Sequence, residues 1–482
     1  MAGEIDLVAR LLAFESGKAL RVASHLHVSL QPHALVVCPL AMAGEDTTIH
    51  TVAIGHVGKP PEFRSVPDPR FREDEYGLFT WLADRIVAYF DGCRSRGDFP
   101  QIWVSSSPAA ALLDILADRL RYNRDDLVVK RFGELLSYAT ERFPVAGQQA
   151  LMTATGALRQ HFATGQQEAE DEHLGTVLVW IEPPAGRNVL AEVAATELIP
   201  MGAKTDPTFD RQVLDPLVRD YNQARRKNAD PKALARRAQA VHDVLVNVVR
   251  PVYEGTQRAI RILGRLNLPP LPALAALDER ERDEFQNFMQ SRDAGFHLPL
   301  KDKPKPAAFK LADREDAMDN MESAVLHEDR LGRARARLAG DVLRGTVRNP
   351  RKVHLGPWRF EYSLEVVSQQ RVLRVRRRDE LSLLLDTRLK AVVTDIQRHG
   401  RTTTVSLRLS SGGRAVGLPH AGEVIELGPG APDWLGIIRT RVQMAERLNN
   451  PPWTHSDSGI PSCKPQDGGA PRDLLGVLEG LR

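Results

Sequence analysis

The pattern of apolar positions changes character three times along the chain. Near the N-terminus, Leu35–Leu40 is a short apolar run, and a second apolar piece lies within Thr47–Gly55. Runs of this length read as strands, joined here through the turn Gly44-Glu45-Asp46. Lys59–Pro69 is proline-rich and reads as loop. From Glu75 the spacing becomes helical, with Leu78, Trp81, Leu82, Ile86 and Phe90 on one face. Ile102-Trp103-Val104 predicts a short buried strand. Ser107 and Pro108 then read as the cap and first residue of a helix through Leu112, Ile115, Leu116 and Leu120. Thr176–Ile181, closed by Pro183-Pro184, predicts a further strand. Strands and helices in alternation predict an α/β domain over 1–185.

Residues 190–346 predict a central α-helical region. Helical spacing is carried by Leu214, Leu217 and Tyr221, by Ala233–Val249, by Ile260 to Leu263 after Pro251, and by Ala317 to Leu338. After Gly345 the period falls to two. Phe360, Tyr362 and Leu364 alternate with polar residues, and Leu373-Arg374-Val375-Arg376 alternates more clearly still. Ala391–Ile396, Thr403–Leu409 and Glu423–Leu427 continue the series, with a hairpin turn at Gly412-Gly413. Several short strands with glycine-rich turns predict a small β-barrel over 347–435. The stretch 436–482 reads as a linker.

Length supports several domains, since 482 residues exceed one ordinary core. No run of eighteen apolar residues occurs, so no membrane partner is expected. The first ten residues carry two acids before the only arginine, unlike a secretory signal. Cys38, Cys93 and Cys463 lie far apart and make neither a disulfide framework nor a zinc cluster. A reduced, cytoplasmic location is the expectation. Net charge is only +3, but residues 333–414 hold 19 Lys or Arg against 7 Asp or Glu. Charge gathered in one region steers polyanions toward it, while a solvated basic surface without a partner has the same composition.

The motifs of common chemistries are absent from the sequence. Neither Gly422 nor Gly428-Pro429-Gly430 leads into the Gly-Lys-Ser/Thr of a phosphate-cradling loop. No HExxH and no GxSxG occurs. Ser105, Ser106 and Ser107 stand where a nucleophile could sit, but also where a turn and helix cap belong. His25 and His27 would share one face of a strand, near His33, yet no acid follows until Glu45. A two-metal nuclease needs carboxylates converging at strand ends. None lies in Ala34–Leu40 or Gln101–Ser105, and Glu75 is the weak catalytic candidate. No cofactor and no metal is expected.

The basic and aromatic residues of the last region point elsewhere. Trp358, Phe360 and Tyr362 alternate with Arg359 and Glu361, and Arg371, Arg374, Arg376, Arg377 and Arg378 follow. Exposed rings stack on bases while arginines take phosphates. Rings in a core and arginines facing water would leave the same pattern. On a strand, Arg374, Arg376 and Arg378 would share one face. DNA or RNA is the expected partner.

Several pieces in order carry a resemblance: Phe209-Asp210 to Tyr221-Asn222, Val249-Arg250-Pro251-Val252-Tyr253, Asp278 to Phe288 and Leu338-Ala339-Gly340. Leu418-Pro419, Gly422-Glu423-Val424, Gly428-Pro429 and Pro451-Pro452-Trp453-Thr454 follow. The layout resembles the pre-motor region of bacterial superfamily 1 helicases of the Upf-one/Dna-two-like branch. That resemblance implies a degenerate RNase H-like or RecB-type domain, a helical linker, a small β-barrel, and a role in DNA repair. It also implies a helicase motor, in cis or as a separate chain, where residue 482 is reached. An intact member would carry an Asp-x-Glu on its first core strand, where this chain has Val36-Val37-Cys38-Pro39-Leu40; Glu75 matches the place of a second acid. Three functional readings remain: a non-catalytic nucleic-acid-binding accessory region, a metal-dependent nuclease, and a structural or interaction module.

Overall fold

The computed structural model describes residues 2–123, 126–299, 302–356 and 359–430. Among the described residues, Pro299–Asp316 belong to a unit separate from the one that holds 2–298 and 317–430. The chain opens with α1 (Ala2–Ser16) and the two-residue strand β1 (Leu20–Arg21). The main sheet follows: β2 (Leu35–Leu40), β3 (Thr51–His56) and β4 (Glu62–Ser65) form an antiparallel meander. After α2 (Arg72–Ser95), β5 (Ile102–Val104) pairs parallel with β2. Two helices, α3 (Ser107–Leu120) and α4 (Leu127–Arg142), lead to β6 (Leu151–Thr153), parallel to β5. The order across the sheet is β4-β3-β2-β5-β6.

Every residue of β2 is buried, which follows from helices on both faces. Leu35 and Val37 join α2, α3 and α4 in one apolar cluster, around Phe90, Phe132 and Leu116. Val36, Cys38 and Leu40 point the other way, with Trp103 and Met152, into a second cluster. Pro39 falls beyond the β5 pairing, which is confined to Leu35 and Val36, so its missing N–H costs the parallel ladder nothing.

That second face is covered by α5 (Ala154–His161) and, after β7 (Phe162–Ala163) pairs with β1, by α6 (Leu174–Ile181). Next come α7 (Val189–Glu197), the single turn α8 (Pro207–Phe209), a π-turn at Asp210–Leu214, α9 (Asp215–Arg226) and α10 (Pro231–Arg265). Three sequence expectations change here. Thr176–Ile181 is helix, not strand. It is apolar and nearly all buried, and a short apolar run does not distinguish the two. Pro251 does not end a helix, since α10 runs 35 residues through it. Val249, Val252 and Tyr253 are buried against the sheet, and that packing offsets the proline's cost of about 3 kcal/mol. The central helices also share the α/β core: Val241, Leu245, Val249 and Tyr253 lie in one cluster with β2 and β3 residues.

The remaining helices are α11 (Ala273–Asp293), α12 (Pro304–Glu328) and α13 (Arg330–Ala339). Phe285 of α11 is buried beside Phe90 and Tyr138. Asp329 caps α13, accepting from the N–H groups of Leu331 (2.8 Å) and Gly332 (2.9 Å). The same carboxylate holds the Ser24 N–H, the His25 N–H and His27 Nε2. These bonds hold its pKa well below the usual carboxylate range, although its burial opposes them. Behind His27, the His161 ring accepts the His27 N–H at Nε2 (3.0 Å) and donates from Nδ1 to the Ala157 carbonyl (2.7 Å). Burial pushes the His161 pKa down to about 4, which suits a ring that needs a free lone pair. So His27 is an anchor between the first strands and α13, not half of a metal pair.

Gly340 ends α13 with φ +88°, and a Cβ there would meet the Val372 carbonyl. The chain then enters β8 (Leu343–Gly356), β9 (Arg359–Ser368), β10 (Glu380–Leu383), β11 (Lys390–His399), β12 (Thr402–Ser411) and β13 (Val424–Gly428). All pairings are antiparallel in the order β10-β11-β12-β9-β8-β13, and β13 returns to β10 through Ser382–Gly428 and Leu383–Leu427. One face only is packed, by Leu343, Val347, Leu364, Val366, Val393, Val405 and Leu407 among others. The expectation of a small β-barrel standing alone over 347–435 is corrected in its extent, while the six strands close on themselves through β13 and β10. The sheet begins at Leu343, inside the stretch read as helical linker. Its long hairpins β8–β9 and β11–β12 run past the apolar interior, their far ends exposed. Residues 436–482, expected as linker, lie outside the described residues.

Candidate nucleic-acid interface

The segment Arg371–Arg378 is not a strand. It lies between β9 and β10, and its backbone bonds go to loops and the sheet edge: Arg374 N–H to the Gly340 carbonyl and Arg378 N–H to the Val393 carbonyl, both 2.9 Å. The alternation seen in the sequence is nonetheless real in three dimensions. Leu373 and Val375 point into the sheet's interior, while Arg374 is half-buried and Arg376 exposed. Arg378 turns away at φ +74°, ending the alternation.

The five arginines differ in what they touch. Arg374 bonds the Asp341 carboxylate at 3.1 Å. Arg377 is paired with Asp395, whose carboxyl it holds below the ordinary range. Arg371, Arg376 and Arg378 are exposed and make no ion pair among the described residues. Three of the five nominated cations therefore remain available to an outside anion.

Tyr362 lies on the β8–β9 hairpin, and Trp358 lies outside the described residues. Phe360, Tyr362, Leu364 and Val366 alternate along β9, so all four share the inward face. Leu364 and Val366 are core, but Phe360 and Tyr362 sit where the hairpin has passed the interior and are half-exposed. Their neighbours are basic instead of apolar. Register places Lys352 opposite Tyr362 and His354 opposite Phe360. Lys352 Nζ stands 4.4 Å from the centre of the Phe360 ring and 5.7 Å from that of Tyr362. The Arg414 guanidinium lies 5.2 Å from the Phe360 centre. His354 meets Phe360 edge-on with ring centres 5.0 Å apart. Gly413 lets the backbone lie against Tyr362, since a Cβ there would fall 2.6 Å from the ring. Cations over ring faces are attracted by the ring quadrupole, and they mark a surface carrying both stacking area and positive charge.

Lys352, His354 and Arg414 were not singled out by sequence reasoning. Lys352 and His354 are cross-strand partners of the two rings, and Arg414 follows the Gly412-Gly413 turn after β12, which makes no hairpin because β13 pairs with β8 and β10. The alternation of Lys352 with His354 in a basic run was the one available signal, and without register it names no partner.

In the α/β domain the residues singled out for catalysis are engaged within the chain. Glu75 is buried, and both its oxygens are held by Arg119 at 2.9 and 2.8 Å; Arg119 also donates to the Thr47 carbonyl. Arg119 thus takes one lone pair from each Glu75 oxygen and balances its charge from within the chain. Among the described residues no group of three or more His, Cys, Asp or Glu is placed to hold a metal ion. Ser107 begins α3, and its N–H and hydroxyl both bond Glu172, so the serine run is a helix start capped by a distant carboxylate. Burial pushes the Cys38 and Cys93 thiols up, to about 12 and about 11, which leaves neither a nucleophile at neutral pH.

Comparison with known proteins found no matching family model, no matching curated protein and no matching solved structure. The resemblance to the pre-motor region of superfamily 1 helicases is corrected accordingly. With it go the RNase H-like designation of the N-terminal domain, the helicase association and the DNA-repair setting, all of which depended on that resemblance. Two of the residue pieces that suggested it are explained by packing, and Pro451-Pro452-Trp453-Thr454 lies outside the described residues. Val249, Val252 and Tyr253 fill the α/β core, and Gly340 makes the turn into β8.

Proposed function

We propose that this chain binds nucleic acid through its C-terminal sheet and acts by binding, not by catalysis. The observation that carries this reading is the ring-and-cation strip on the β8–β9 hairpin. Phe360 and Tyr362 continue the interior face of the sheet beyond its core, and Lys352 and Arg414 lie over them. Aromatic faces accept bases of any sequence, and the cations meet the phosphates between them. Such a strip favours single strands, because a base inside a duplex presents no free face. The bidentate Glu75–Arg119 pair supports binding without metal-dependent cleavage at that residue.

The test is a paired substitution. Phe360→Ala and Tyr362→Ala are each expected to weaken binding of a labelled single-stranded oligonucleotide by about 1–3 kcal/mol, with little change for a duplex of the same sequence. Melting is followed alongside, since a loss of affinity that tracks a loss of folded protein would assign the rings to packing. A folded double variant with unchanged single-strand affinity refutes the strip as the binding surface.

A further inference from the structure

At the other end of β9 and β12 lies a cleft of about 700 Å³, between the segment leaving β9 and the β11–β12 turn. Arg371, Arg398 and Arg401 line it with Gln369, Thr402 and Thr403, and no carboxylate is among its lining residues. Its walls are fixed from below. Gln370, also in the lining, donates from its side-chain amide to the carbonyls of Arg337 (2.8 Å) and Val342 (2.9 Å). The Gln370 amide oxygen accepts the Arg344 N–H at 2.7 Å. Arg371 is therefore carried on a pinned backbone. Arg398 reaches across to the Leu373 carbonyl at 3.4 Å, leaving the rest of its guanidinium donors for the cleft. Arg371 and Arg401 are exposed and form no ion pair among the described residues.

Three guanidiniums around a concave, acid-free opening repel one another unless an anion sits between them. Arginine's planar fork suits phosphate oxygens, and threonine hydroxyls add neutral donors. Thr403 pairs with Ser368 and Arg408 with Ser363, so this cleft and the ring strip mark opposite ends of one strand pair. Tyr362 and Gln370 are eight residues apart along β9 and its exit, about 27 Å at strand rise.

We propose that this cleft is a phosphate-binding seat for the backbone of the strand whose bases stack at Phe360 and Tyr362. The inference rests on the nucleic-acid reading above and adds a second, distant contact to it. The substrate class is then a single strand long enough to reach both ends of β9. A short oligonucleotide engages the ring strip alone.

The experiment compares oligothymidylates of about 4 and about 16 nucleotides, the span of common single-strand site sizes, on the full chain across a salt series. The variant is R371Q/R401Q, which spares Arg398 because of its bond to Leu373. The double variant is expected to bind the long oligonucleotide roughly tenfold more weakly. Its log–log salt slope should shrink by about 1.4, which is 0.7 for each lost phosphate contact. Binding of the short one should not change. R371K/R401K should keep most of the slope, and equal melting temperatures show that each variant is folded. Wild-type affinity and slope for the long oligonucleotide in a folded R371Q/R401Q overturn the cleft alone, provided F360A/Y362A still weakens both lengths. Equal loss on both lengths overturns the two-ended arrangement. No binding of either length by the unaltered chain overturns this inference together with the reading it rests on.

Discussion

In the α/β region, buried and half-buried charges are answered from within the chain. Arg119 grips Glu75, Arg10 meets the buried Asp171 at 2.7 Å, and Arg142 meets the buried Glu281 at 2.6 Å. In the C-terminal sheet, Lys352, Arg371, Arg376, Arg378, Arg401 and Arg414 have no ion-pair partner among the described residues. The first region spends its charge on holding helices to a sheet. The second leaves a basic surface facing outward, beside rings that its own core does not cover. Buried, mutually satisfied pairs fix positions, whereas unpaired surface cations are free to meet a polyanion. Under the proposed reading, that difference assigns structure to one region and recognition to the other.

The two regions meet at Asp329, and removing that residue is the largest expected perturbation. Asp329→Ala takes away the α13 cap and the partner of His27, leaving buried donors unpaired. A loss of about 3 kcal/mol of stability is expected, read by urea unfolding. Unfolding that stays within 1 kcal/mol of wild type would break the view of Asp329 as the joint.

Acid should weaken the same joint in a smaller and graded way. Unfolded histidine protonates near 6.5, while His161 in the fold does so near 4. Between those values the unfolded state holds the extra proton, so stability falls as pH falls. Protonating His161 at Nε2 also breaks its bond from the His27 N–H. A loss of about 2 kcal/mol from pH 7 to pH 4.5 is expected from this residue. His161→Gln should flatten that part of the stability–pH curve. His50, which burial also pushes down to about 4, contributes in the same direction and should persist in the variant.

The smallest expected effect separates arginines that look alike in the sequence. Arg374 is occupied by Asp341, so Arg374→Ala should change oligonucleotide affinity by less than about twofold. Arg376→Ala should cost roughly one phosphate contact, a salt-slope change of about 0.7. Equal effects at both positions would show that the Asp341 pair does not hold in solution.

How much of this was legible in the sequence depends on what each element packs against. The strand Leu35–Leu40, the helix through Leu78 and Ile86, and the strand Ile102–Val104 were all readable, because apolar runs and helical stripes state burial directly. Period two was readable after Gly345 because that sheet packs one face only. Thr176–Ile181 reads as strand because the eight-residue α6 that contains it is apolar and nearly all buried, and so has no period to show. Arg371–Arg378 alternates in and out like a strand but finds no ladder partner, and partnership is a tertiary fact. The site was half-legible for the same reason. Tyr362 and three available arginines were nominated from composition. Lys352, His354 and Arg414 became visible only through cross-strand register and the turn after β12, and Arg398 and Arg401 only through the cleft they close.

The most direct measurement is the salt dependence of single-strand binding by the full chain, followed by anisotropy of a labelled oligonucleotide of mixed sequence. If the unpaired cations of the C-terminal sheet meet phosphates, log Kd should rise linearly with log salt. The slope should be about 2 to 4, corresponding to roughly three to six contacts at 0.7 each. Absence of binding at low salt, or an affinity indifferent to salt, would contradict the assignment of this sheet to nucleic acid.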